Sequence, residues 1–313
     1  MRISQLLRVA VSLATLASAI DAQAAAKQVV ALIQANEQAL YFVQLGQGAE
    51  AEANRQGLQL VVFNANNDIA AQNNAVETYT QQKVAGIVVD ALDRDSMMPA
   101  VRAAAGTGVF VTAVDTILPD GPQIAQVGID SYAAGKQIGD YFVAYIAAHG
   151  GAAKVGIVGA LNSSSQNERQ KGFEDAVKLS NGVMMAGVVD GRNVQEAAMS
   201  AAENLITGNP DLTAIYATGE PALIGAAAAV ESQGKQSKIK IFGWDLSAPA
   251  IKGIDGGYIV AVVQQDPTGM GAASVAAIAD ALRGKAPSKT TVINVPVTIV
   301  TKDNVGPYRA SFK

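Results

Sequence analysis

The chain of 313 residues contains no cysteine, a single histidine and a single tryptophan, and only 16% of its residues are charged. Without cysteine neither a disulfide framework nor a thiolate metal site can form, and the residue that bacterial lipoprotein signals need for lipid attachment is missing. One histidine excludes His-rich zinc sites and leaves imidazole acid–base chemistry to His149, in a stretch, "YIAAHGG", that reads as a helix end. Clusters of Lys and Arg are also absent, and a formal net charge of −4 argues against nucleic acid as a partner. No apolar run reaches the roughly 20 residues of a membrane-spanning helix.

Apolar residues, at half the chain, are plentiful enough to build large cores, so disorder is not expected. The sequence opens MRISQLLRVAVSLATLASAIDAQAAAKQ, with Arg2 and Arg8 ahead of an apolar stretch from Val9 to Ile20 and then small residues. That is the layout of a secretory signal peptide over residues 1–26, cut after Ala24 or Ala26. The expected product is a free, exported protein of the periplasm.

From Gln28 onward, short β-rich runs alternate with longer segments of helical period. The runs cover 29–34, 58–64, 86–91 and 108–115, with helices expected at 40–56, 69–83 and 95–106. Runs that are apolar throughout, rather than alternating, indicate strands covered on both faces of a parallel sheet. The rhythm restarts after Asp130, with strands expected at 154–160, 183–190, 212–218 and 240–245 and helices at 131–148, 165–179, 194–207 and 219–233. The fold class is therefore α/β, two doubly wound parallel-sheet lobes. One more strand (258–265), a helix (269–285) and two short strands around Pro296 cannot bury a core of their own and must complete the lobes already begun. This gives one lobe of 27–128 plus 266–295, another of 129–265 plus 296–313, a three-strand hinge between them, and a cleft.

Ligands of open α/β sheets bind beyond the carboxyl ends of the strands. Those ends deliver Asn36, Tyr41 and Phe42, then Asp115 with Thr116, then Asn193, Gly219, Glu220, Asp245 and, at a crossing point, Gln265; "NSSSQNERQKGFEDA" (162–176) adds Arg169. There is no plausible Ser/His/Asp arrangement and no GxxxxGK[ST] phosphate loop, and "GQG" at 46–48 lies inside a helical stretch, so no catalysis, cofactor or metal is expected. Carboxylates, amides and a guanidinium suit hydroxyls that both donate and accept, and aromatic rings suit the C–H faces of a sugar, which describes a neutral polyhydroxylated ligand. Duller roles compete: Asp245 as cap of a helix starting near Ser247, Arg169 as surface partner of Glu168 or Asp175, and one of Tyr41 and Phe42 as a core residue, since helix neighbours diverge. In "KIFGWD", strand alternation sends Trp244 into the core if Asp245 faces the cleft.

In order along the chain, "YFVQLGQGAEAEANRQG" (41–57), "VTAVDT" (111–116), "IDSYAAGKQIGDY" (129–141), "NERQKGFEDA" (167–176), "NPDLTAIYATGEPALIGAAAAV" (209–230), "IFGWD" (241–245) and "VVQQDPTGMG" (262–271) resemble the periplasmic sugar-binding proteins of the ribose-binding type, the type I solute-binding proteins of ABC importers. The resemblance implies that Tyr41 and Phe42 match the family's aromatic pair, Asp115 and Asp245 its two aspartates, Arg169 its arginine and Gln265 its hinge glutamine. It also implies departures: Ala39, Thr116 and Gly219 stand where the ribose pattern has Asn, Arg and Asn, and Arg192 or Asn193 where it has an aromatic residue, which disfavours ribose itself. The implied activity is capture of a monosaccharide or sugar alcohol by lobe closure and delivery to a membrane permease, with a chemoreceptor as a second possible partner and a monomeric state. Other classes on this scaffold are a binder of an amino acid, nucleoside or furanone signal, a sugar-responsive regulator, which would carry a helix-turn-helix where this chain has its signal peptide, and an exported enzyme. For an amino acid, "NSSSQ" (162–166) would have to supply the carboxylate's donors.

Overall fold

A computed structural model describes residues 27–312, so the signal peptide expected at 1–26 lies outside the described residues. The first half contains β1 (Val29–Gln34), α1 (Leu40–Arg55), β2 (Gln59–Asn64), α2 (Ile69–Gln81), β3 (Gly86–Val89), α3 (Arg94–Gly106), β4 (Phe110–Asp115) and β5 (Ala125–Gly128). The second contains α4 (Ser131–Ala148), β6 (Ala153–Gly159), α5 (Ser164–Val177), β7 (Val183–Asp190), α6 (Gln195–Gly208), β8 (Ala214–Ala217), α7 (Glu220–Ser232), β9 (Lys240–Trp244), α8 (Ala248–Asp255) and β10 (Ile259–Gln264). The chain closes with α9 (Pro267–Asp280), β11 (Thr291–Asn294) and β12 (Thr298–Val300).

Two six-stranded sheets result, ordered β11-β5-β4-β3-β1-β2 and β12-β10-β9-β8-β6-β7. The same order of strands is used twice, and the chain passes from one sheet to the other between β5 and β6, between β10 and β11, and between β11 and β12. All pairs are parallel except β12 on β10. β12 follows β11 after three residues. Helix starts are written in the sequence: Asp68, Asp93, Asp130, Ser163, Ser247 and Asp266 each accept the backbone N–H three residues on.

The helix after each crossing packs against the first helix of the sheet it joins, α4 on α5 and α9 on α1. The α4–α5 contact is backbone against backbone. A Cβ on Gly135 would lie 2.2 Å from the Arg169 carbonyl oxygen, so the absence of a side chain at 135 sets where the Arg169 backbone rests.

Two strand expectations differ from the structure. β5 has no counterpart among the expected runs, because buried Gln126 interrupts its apolar pattern; that side chain accepts from Leu118 N–H at 2.6 Å and ties down the loop after β4. β2 and β7 are not covered on both faces: they are the edge strands, and Met184, Met185 and Val188 of β7 are exposed. A run of apolar residues alone does not distinguish a central strand from an edge strand.

Candidate functional site

The carboxyl ends of the two sheets face each other across a cleft whose free space, solvent at its mouth included, is about 420 Å³. Tyr41, Phe42, Asp115, Arg169, Asn193, Gly219, Glu220, Asp245 and Gln265 all line it. Asp115 ends β4 and Asp245 follows β9, at equivalent places in the two sheets, and both adopt a left-handed backbone with φ 60°. Asp tolerates this conformation better than most residues, and such strain, of order 1–3 kcal/mol, persists where the surroundings enforce it.

Named contacts bear on the competing roles. Ser247, not Asp245, caps α8. Arg169 is 4% exposed and its guanidinium lies 3.3 Å from Asp115 of the other lobe, while Glu168 pairs with Arg94 and Asp175 with Tyr132 and Lys178. Both Tyr41 and Phe42 reach the cleft, edge to face at 5.1 Å, because they sit in the first turn of a helix whose end, rather than its flank, meets the cavity. His149 caps the far end of α4, stacked on Tyr145 and bonded to that residue's carbonyl, away from the cleft.

Trp244 is fully buried, yet it is not remote from the site. The Arg169 guanidinium lies 4.0 Å from the centre of its ring, and its Nε1–H donates to the Tyr216 hydroxyl at 2.8 Å. Tyr216 in turn donates to the Arg169 carbonyl at 3.4 Å and stacks on Phe173. A desolvated cation over an indole gains about 2 kcal/mol, so this aromatic floor holds the one cleft guanidinium in place.

Amides bridge the lobes. Thr218 donates to Gln166, Gln166 to the Asn193 side-chain oxygen at 2.8 Å, and Asn193 to Asn67 of the first lobe at 3.0 Å. Asn36 and Asn67 both donate to the Asn193 carbonyl. The Asn193 side chain is therefore occupied by protein on both ends and acts as an interlobe latch. Gly219 contributes space: a Cβ there would lie 2.8 Å from Gln166 Oε1 and push this chain of amides aside. The carboxylate of Glu220 accepts from Tyr41 N–H at 2.9 Å, so an acid of one lobe meets the positive end of a helix in the other.

Sequence reasoning missed Asp90 and offered Ser163, Ser165 and Gln166 only as donors for an amino-acid ligand; all four line the cleft. Asp90 directly follows β3, the strand-end signal that exposes Asp115 and Asp245, but the expected run of 86–91 puts it inside the strand rather than at its end. The Ser165 hydroxyl lies 3.5 Å from Asp115, and the Gln166 amide nitrogen donates to the Asn193 side-chain oxygen.

The cleft is rich in acid. Burial pushes Asp245 up to about 7, opposed by Arg169 and by the Gln265 hydrogen bond. Burial and the charge of Asp115 push Asp90 well above the carboxylate range, against the pull of Ala35 N–H and Arg169. Glu220 is also raised by burial, and the backbone N–H groups of Tyr41 and Leu40 pull it down. The Tyr41 phenol, buried and 3.0 Å from Asp115, is raised and stays a donor.

Two α/β lobes with polar groups of both converging on one buried cleft define a two-lobed binding protein. Residues 17–286 match the family model described as periplasmic binding protein domain, and the chain belongs to that family. It is 28% identical over 276 residues to the ribose import binding protein RbsB of Escherichia coli (strain K12), covering 88% of this chain and 92% of that one. It is 25% identical over 274 residues to the D-allose-binding periplasmic protein of the same organism, covering 82% and 88%. Among solved structures it is similar to GanP, a glucose-galactose binding protein from Geobacillus stearothermophilus, with a TM-score of 0.80 at 26% identity over 90% of this chain and 99% of that one.

Proposed function

We propose that the protein is the periplasmic solute-binding component of an ABC importer, capturing a monosaccharide or sugar alcohol between its lobes and presenting it to a membrane permease. The observation that carries this is the direct interlobe meeting of Asp115 and Arg169 in a buried cleft whose lining also offers hydroxyls, amides, carboxylates and aromatic rings. A ligand that touches both lobes binds the closed form better and shifts the population towards it. The moving bodies are 27–128 with 266–295 and 129–265 with 296–313, Gln265 sitting where the chain passes between them. Tyr41, Phe42, Asp115, Arg169, Asp245 and Gln265 contact the ligand; Asn193 and Glu220 serve closure, and Gly219 gives room. The names of the ribose and D-allose relatives support a sugar as the cargo. Ala39, Thr116 and Gly219, small residues in the cleft lining, favour a ligand other than ribose.

A thermal-shift screen against pentoses, hexoses and four- to six-carbon polyols tests the proposal. A binding sugar raises the melting temperature and lowers the radius of gyration in small-angle scattering. No response across the whole panel refutes it.

A further inference from the structure

We infer that the cleft is built for a polyhydroxylated ligand that carries a protonated nitrogen, an amino sugar or amino polyol, rather than for a neutral sugar. The inference rests on the sugar-capture reading and narrows it. Three aspartates, Asp90, Asp115 and Asp245, face the cavity with one guanidinium. Asp115 takes that guanidinium at 3.3 Å, together with the Tyr41 hydroxyl at 3.0 Å and the Ser165 hydroxyl at 3.5 Å, and is satisfied within the protein. Among the described residues, the Asp90 carboxylate receives only a 3.4 Å bond from Ala35 N–H, and Asp245 only the Gln265 amide nitrogen, at 3.0 and 3.1 Å. Neither has a cation of its own.

An independent feature points the same way. Gln265 is 4% exposed, and its Oε1, an acceptor, has no partner among the described residues. The cleft thus offers surplus acceptors from both lobes. A hydroxyl brings an acceptor with each donor, whereas an ammonium brings three donors and no acceptor. One buried donor, Arg169 Nε, is also unpartnered, which calls for a hydroxyl on the same ligand. A metal ion is a poor occupant: among the described residues, no group of three acidic or histidine side chains is placed to hold one.

Proton linkage agrees. Asp245 is faced by Arg169 of α5, Glu220 of α7, Asp115 of β4 and the amide of Gln265, and burial still pushes it up to about 7. The buried Asp245 carboxylate is thus short of positive charge, which a ligand ammonium would supply.

Calorimetric titration of the full mature protein at pH 7.5 with matched probes tests this: D-glucose, D-glucosamine and N-acetyl-D-glucosamine, the galactose equivalents, and sorbitol against 1-amino-1-deoxysorbitol. In at least one series the amine binds about tenfold or more tightly than its hydroxyl parent, consistent with charge-assisted bonds replacing neutral ones, and N-acetylation abolishes the gain. Asp90→Asn and Asp245→Asn each shrink the amine-to-hydroxyl ratio. Parents that bind as tightly as their amines, or a ratio unchanged in both variants, overturn the inference and leave sugar capture standing. No binding by any probe of either kind overturns the inference, while sugar capture stands or falls on the wider pentose, hexose and polyol screen.

Discussion

Raising the pH from 5 to 8 opens the ligand-free protein, because closing the cleft buries Asp245. A hydrated aspartate titrates near 3.9, whereas burial in the closed cleft pushes Asp245 up to about 7. Below pH 4 both open and closed forms hold the proton and closure carries no penalty from this group. Between 4 and 7 the open form ionises while the closed form keeps its proton, so closure weakens by up to about 1.4 kcal/mol per pH unit, to a ceiling of about 4 kcal/mol. Above 7 both forms are ionised and the penalty stays constant. Asp90 and Glu220, also raised by burial, act in the same direction. Surface carboxylates paired with cations, such as Asp175, Asp255 and Asp280, are held below the ordinary range and titrate at lower pH, so they do not mask the effect. Small-angle scattering across this range is expected to show the radius of gyration rising with pH, and Asp245→Asn, neutral at every pH, to flatten the curve. A pH-independent radius, or a wild-type slope in Asp245→Asn, refutes the reasoning.

Asp245→Ala weakens sugar binding about tenfold or more in calorimetry, the loss expected of a charge-assisted hydrogen bond; a smaller loss removes Asp245 from the ligand contacts. Trp244→Phe deletes the bond to Tyr216 and shrinks the ring beneath Arg169, costing about 1–3 kcal/mol in denaturant unfolding and several-fold in affinity; wild-type behaviour in both would detach the floor from the site. Asn67→Ala removes amide contacts to Asn193 without touching the cavity lining, so stopped-flow measurements should give several-fold faster ligand release at nearly unchanged association. Gly135→Ala drives a methyl against the Arg169 backbone and is expected to destabilise by about 1–3 kcal/mol while weakening binding, as a melting curve and a titration on the same sample will register.

The α/β alternation was legible because covered strands and amphipathic helices carry different periods, and the carboxyl-end rule puts Asp115 and Asp245 at a cleft from strand pattern alone. β5 was not legible, since Gln126 is buried for a loop contact that only the folded chain makes. The exposed faces of β2 and β7 were hidden for a related reason: edge position is a property of strand order, and strand order is long-range.

At the site, the sequence by itself determined which side chains stand at strand ends and helix starts, because backbone pattern fixes those locally. What each one touches was decided by tertiary structure alone. Arg169 meets Asp115 across 54 positions, Glu220 meets the Tyr41 amide across 179, and Asn193 meets Asn67 across 126. Such pairings follow from how two sheets face each other, and so does the charge balance of the cleft: Asp90 counts only once the fold shows that it shares the cavity with a single guanidinium.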